Sequence, residues 1–151
     1  VSLPLGASRL TREYLGSDPH TSREIKVLEN YVLEQVNESI PRDIMDHVAD
    51  HFVATSKTFR TLARLGEHWF GDNSKYLKIN SLNKMIPKLQ AMSNNERAEL
   101  PGVSQSRARQ IVAGAIVART AMEILQINEL EICPWALREG IVLRWLDWME
   151  R

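Results

Sequence analysis

The residues best suited to chemistry lie where a short apolar run meets a hydroxyl-rich turn, His51-Phe52-Val53-Ala54-Thr55-Ser56-Lys57-Thr58-Phe59-Arg60. A buried strand that enters such a turn and leaves as a helix presents free backbone amides and the positive end of the helix dipole. Those are the physical requirements of an anion site. Thr55, Ser56 and Thr58 add hydroxyl donors, and Lys57 adds a charge. The same residues also suit a plain helix cap, with Thr55 or Ser56 accepting a first-turn amide. There is no G-x-x-x-x-G-K, so this is not a Walker phosphate loop.

Three other segments could carry chemistry. Leu100–Ile111 holds a Pro101-Gly102 turn between two helical stretches, followed by Arg107 and Arg109. That arrangement suits a helix-hairpin-helix nucleic-acid module, or an interhelical turn with a surface arginine. Asp43, Asp46, His47, Asp50 and His51 form an acidic and imidazole-rich cluster. His47 and His51 are spaced i,i+4, as metal ligands on one helix face can be, but the glutamate of H-E-x-x-H is absent. Ile132-Cys133-Pro134-Trp135-Ala136-Leu137-Arg138-Glu139-Gly140 reads as a strand end, a turn and a helix start. Arg138 and Glu139 either make a structural ion pair or cap, or line a ligand cleft at the strand's carboxyl end. Cys133 reads as a small buried hydrophobe rather than a nucleophile. No Ser-His-Asp arrangement can be assembled from spacing.

The elements that must position these residues follow from hydrophobic period and punctuation. Residues 1–5 read as a strand remnant and 7–15 as a short helix. From Ser22 a longer helix carries Ile25, Leu28, Tyr31, Val32, Val36 and Ile40 near a 3.6 period, and Pro41 ends it. His51–Ala54 reads as a buried strand, followed by a helix with Phe59, Leu62, Ala63 and Leu65 inward and Gly66 near its end. Tyr76–Ile79 reads as a strand, and Asn80 or Ser81 as the cap of a helix reaching about Met92. Ser93 and Glu96 have capping-box spacing. Residues 104–127 read as the longest helix, where Gly114 and several alanines imply close approach of another backbone. Glu129–Cys133 reads as a strand, and 135–149 as a last helix with Leu137, Ile141, Trp145 and Trp148 along one face. The fold class is helix-rich α/β, with too few strands for a sheet of its own.

The bulk composition narrows the function classes. The 151 residues fit one domain, and 44 % hydrophobic residues supply a core. Lys plus Arg is 19 and Asp plus Glu is 19, a balance that argues against a dedicated duplex-DNA binder. The single cysteine cannot form a disulfide framework, so a reducing cytoplasm is expected. No apolar run approaches the ~18 residues of a membrane span, and the N-terminus does not read as a signal peptide. The chain opens at Val1 without a methionine, as an excised domain would.

Four segments in order resemble the Ppx/GppA phosphatase family. They are Ser2–Thr11, Val53–Arg60, the Leu-Pro-Gly…Arg-Ala…Gly-Ala pattern around Leu100, Arg107 and Gly114, and the Leu-Arg-Glu-Gly element Leu137–Gly140. Their wording is most similar to the actinobacterial branch. The resemblance implies the second, C-terminal lobe of an actin-like (ribonuclease-H-like) fold, with residues 1–151 as that lobe. The N-terminal lobe and the glycine-rich phosphate loop of the family are absent, so the lobe alone is expected to be inactive. The implied activity of the whole protein is hydrolysis of the terminal phosphate of polyphosphate, or of guanosine pentaphosphate, assisted by Mg²⁺. The implied substrate contacts are Thr55, Ser56 and Lys57, with Arg107 and Arg138 as further cleft residues. The implied partner is the N-terminal lobe; separately, the tryptophan-rich last helix, 135–148, suits a second copy in a homodimer.

Overall fold

The structure is a computed structural model that describes residues 2–41, 44, 49–135 and 137–149, without the side chains of 137 and 138. Asp43, Asp46 and His47 lie outside the described residues.

The chain begins with helix α1 (Ala7–Tyr14) and helix α2 (Ser22–Ser39). Ser2–Leu5 is irregular rather than a strand. Helix α2 starts where the sequence places it, because Thr21 and Glu24 form a reciprocal capping box. Its buried residues, Ile25, Leu28, Val32 and Val36, follow a 3–4 spacing on one face. Glu24 also accepts the amides of Gly16 and Ser17, each at 2.8 Å, so one carboxylate ties the preceding loop to the helix.

These hydrogen bonds, the Thr21 amide foremost, hold the Glu24 carboxyl down at about 2 against its usual 4.5. A depressed carboxyl stabilises the fold above the unfolded-state pKa and loses that contribution as pH falls through the folded one. Urea midpoints are therefore expected to drop between pH 4.5 and about 2. Glu24→Gln should flatten that part of the profile. An unchanged slope in Glu24→Gln would remove Glu24 from the account.

Strand β1 (Val53–Ala54) leads into helix α3 (Lys57–Phe70), and β2 (Tyr76–Lys78) into α4 (Ile79–Ala91). Two short helices follow, α5 (Asn94–Ala98) and α6 (Gln105–Ala108). Helix α7 (Ile111–Ile124), strand β3 (Glu129–Ile132) and helix α8 (Leu137–Met149) complete the described chain. The sheet order is β1-β3-β2, with β1 parallel and β2 antiparallel to β3. A mixed sheet of this kind needs a long crossover between its parallel strands, and α3, α4 and α7 supply it.

Helix α7 is the centre of the core. It is apolar nearly all round and packs against α1, α2, α3 and α4. Its Gly114 is where a neighbour comes closest: a Cβ there would lie 2.4 Å from Thr58 Cγ2 and 3.6 Å from Ala7 Cβ. The sequence implied approach of another backbone; what comes close instead is side chains, Thr58 of α3 and Ala7 of α1.

Several boundaries differ from the sequence reading. Helix α3 runs through Gly66 to Phe70, because Gly66 is buried against Asp72 and the left-handed cap is Gly71, at φ 70°. Ser81 does not cap α4. It is buried and donates to the Asp72 carboxylate, a bond that, with Lys78 at 3.2 Å, lowers the Asp72 pKa. The stretch read as the longest helix divides into α6 and α7, and α2, at 18 residues, is the longest described helix.

Helix α8 is present, but its apolar residues are not covered by the rest of the described chain. Ile141 is 59 % exposed, Trp145 56 % and Trp148 74 %. Among the described residues, no helix is long and apolar enough to cross a membrane.

Candidate phosphate-binding site

The strand–turn–helix order between β1 and α3 is as expected, but the strand is only Val53–Ala54, and His51, Phe52 and Val53 are exposed rather than buried because only Ala54 faces the core. β1 pairs through Val53 with Glu131 and through Ala54 with Ile132, which anchors the turn on the sheet. Ser56 is the N-cap, and its Oγ accepts the Phe59 amide at 3.1 Å. The capping reading therefore holds for Ser56, whose hydroxyl hydrogen stays available to donate. The amides of Lys57 and Thr58 belong to the first turn and have no intrahelical acceptor. Thr55 is exposed beside them.

Below this turn, Lys57, Arg60 and Arg64 fall at i, i+3 and i+7 on one face of α3. Opposite them stand Gly102 and Arg107, from the Pro-Gly turn and α6. Together with Thr61 these residues enclose a cleft of about 290 Å³. Arg107 Nη1 donates to Thr61 Oγ1 at 3.3 Å, and Thr61 Oγ1 donates to the Lys57 carbonyl at 3.0 Å. A hydrogen-bonded chain thus runs from α6 to the first turn of α3. Gly102 suits its place through its backbone conformation. It sits at φ +76°, and a Cβ there would come within 3.3 Å of the Arg64 side chain.

The electrostatics of the cleft are one-sided. No carboxylate lines it, and none pairs with Lys57, Arg60, Arg64 or Arg107 among the described residues. Arg60 is half-buried, and its Nε is shielded from water without a hydrogen-bond partner. A buried donor left without an acceptor is costly, and a bound anion would supply one. In a chain of zero net charge, four clustered cations with no ion-paired carboxylate among the described residues favour a bound anion.

The chain belongs to the Ppx/GppA phosphatase family. The sequence model of that family matches residues 1–149. The exopolyphosphatase 1 of Mycobacterium leprae is 45 % identical over 151 residues, covering 97 % of this chain and 44 % of the relative. The exopolyphosphatase 1 of Mycobacterium tuberculosis is 47 % identical with the same coverage. In fold, the chain matches the crystal structure of the Aquifex aeolicus Ppx/GppA family member with a TM-score of 0.83. That match is 23 % identical and covers 100 % of this chain and 49 % of that one. The chain therefore spans about half the length of the proteins it matches. The helix-rich α/β architecture with a small mixed sheet is that of this Ppx/GppA neighbour.

Of the site residues expected from the sequence, Lys57 and Arg107 line the same cleft, although 50 positions separate them in the chain. Thr55 and Ser56 stand on the turn at its edge. The side chain of Arg138 lies outside the described residues. Arg60 and Arg64 were not singled out from the sequence, yet they form the floor of the cleft. Their one-face spacing after Lys57 was the available signal.

The Pro101-Gly102 turn packs against Arg64 and brings in Arg107, so it serves this cleft, and nothing favours the nucleic-acid reading of it. His51 is exposed, 3.9 Å from Glu131. No group of three or more His, Cys, Asp or Glu that could hold a metal occurs among the described residues. The cationic donor set of the cleft does not fit Mg²⁺.

Proposed function

We propose that this chain forms one wall of the substrate cleft of an exopolyphosphatase-type hydrolase, with inorganic polyphosphate as the substrate. The observation that carries this reading is the convergence of Lys57, Arg60, Arg64 and Arg107 on one cleft along the N-terminal half of α3, with no ion-paired carboxylate on any of them among the described residues. Such a wall neutralises phosphate oxygens and holds the chain in one orientation, which is most of what a protein must do in phosphoryl transfer. Charge that spreads over those oxygens in the transition state would be held by the same donors.

Among the described residues, none that lines the cleft is a carboxylate or imidazole able to take a proton from water. In this reading the group that activates water, and Mg²⁺ with its ligands, belong to the remainder of a longer polypeptide. The chain alone would bind polyphosphate without cleaving it. The names of the relatives favour polyphosphate over guanosine pentaphosphate. The exposed apolar side chains of α8 would be covered either by that remainder or by a second copy. Sedimentation of the chain alone over a range of concentrations separates the two.

Isothermal titration with tripolyphosphate is the direct test. Arg60→Gln or Arg107→Gln is expected to weaken binding about tenfold each, as loss of one charge-assisted contact does. Thr55→Ala should have little effect. Unchanged affinity in both arginine variants would remove the cleft from the reading.

A further inference from the structure

A second cleft, of about 490 Å³, adjoins the first and shares Arg60 and Arg64 with it. Its further lining includes Lys75, Tyr76 and Glu131. From Lys57 to Arg64 the cationic face of α3 runs two helical turns, about 10 Å. The charge then continues to Lys75, in the loop before β2. A third cleft that also borders Arg64 offers Glu67 and His68 instead, so the cationic path runs to Lys75 rather than that way. Glu131 is the carboxylate of the second cleft and stands on β3, where its neighbour His51 is 3.9 Å away.

We infer that Lys75 and Glu131 determine preference for substrate length, Lys75 by holding phosphates beyond those in the first cleft and Glu131, across the same second cleft, by opposing their entry. The inference rests on the proposed phosphate role of the first cleft. One phosphate occupies few donors, whereas the five cations of the two clefts suit several linked phosphates. Like charges repel at close range, so a carboxylate on the path of a polyanion limits how far it is favourably bound. Lys75 and Glu131 are exposed, so their replacement should leave the core intact.

The test compares the affinities of tripolyphosphate and long-chain polyphosphate for the full chain, its Lys75→Ala variant and its Glu131→Gln variant. Circular dichroism confirms that each is folded. Lys75→Ala is expected to lose about tenfold in long-chain affinity and less than about twofold for tripolyphosphate. Glu131→Gln is expected to gain long-chain affinity. Equal losses for both ligands in Lys75→Ala, or no change in either variant, would overturn the length-reading role and leave the first cleft standing. Failure of the unaltered protein to bind tripolyphosphate at all would overturn the first-cleft reading, and this inference with it.

Discussion

Gly114→Ala is expected to destabilise the chain by about 1–3 kcal/mol, the usual cost of overpacking a core. Two effects oppose each other at this position. Alanine is the better helix former by about 1 kcal/mol. The new methyl, however, would lie 2.4 Å from Thr58 Cγ2, well inside contact distance. Thr58 is β-branched and stiff at χ1, so its methyl cannot swing aside at low cost. The clash therefore wins, and it pushes on the first turn of α3, where the anion site begins. Removing the obstructing methyl should reverse the sign. In a Thr58→Ser background, Gly114→Ala meets Ala7 Cβ at 3.6 Å and the Cβ of residue 58 at 3.7 Å, both ordinary contacts, and is expected to be neutral or stabilising. Urea denaturation of the four members of this cycle measures the coupling. Equal effects of Gly114→Ala in both backgrounds would show that the close approach does not matter.

Arg97→Met is expected to cost about 3–5 kcal/mol, in the range for breaking a buried charged network. Arg97 is fully buried. Its Nε donates to the Leu89 carbonyl at 2.9 Å, and its Nη2 to the Met92 carbonyl at 2.7 Å. Its Nη1 donates to Asn94 Oδ1 at 3.0 Å and to the Ala108 carbonyl at 3.2 Å. One guanidinium thus joins the end of α4, the start of α5 and the end of α6. Burial lowers its pKa, and burial first and the Arg97 charge second lower that of neighbouring His20, so the charge is held at a cost. Removing the side chain relieves that cost but leaves three backbone carbonyls without donors, at about 1–3 kcal/mol each, and the second effect is the larger. Lysine cannot serve four acceptors in a fork and should not rescue. Asp18, at 3.8 Å, is a minor partner, so Asp18→Asn should be mild. A loss below 1 kcal/mol in Arg97→Met, by chemical denaturation, would show that the neighbouring carbonyls find other donors.

The same network explains why part of the fold was hidden in the sequence. Nothing between Ser104 and Ile127 punctuates the helical pattern, yet the helix is interrupted at Arg109 and Gln110. The Ala108 carbonyl, which an uninterrupted helix would use, accepts from Arg97 instead. That contact joins residues of different elements, and no local pattern reports it. Gly66 misled for a related reason. A glycine late in a helix usually ends it, whereas this one makes room for Asp72, and the capping role falls to Gly71. By contrast α2 was legible because its start is a local device, Thr21 with Glu24, and its buried face repeats with the helical period.

The candidate site divides in the same way. Lys57 stands beside its turn in the sequence, and Arg107 drew notice through the family pattern around Leu100. That both face one cleft depends on packing of the Pro-Gly turn over Arg64, a tertiary fact. Arg60 and Arg64 could have been found by reading α3 for its polar face as well as for its core.

The most direct test of the central claim is a salt titration of tripolyphosphate binding to the unaltered chain and to Arg60→Glu/Arg64→Glu. Attraction to exposed cations is screened as ionic strength rises. The unaltered chain is expected to bind with an affinity that falls steeply with salt, and the double variant to lose both the binding and the salt dependence. Binding that is insensitive to salt, or that survives reversal of both charges, would contradict the assignment of this cleft to phosphate.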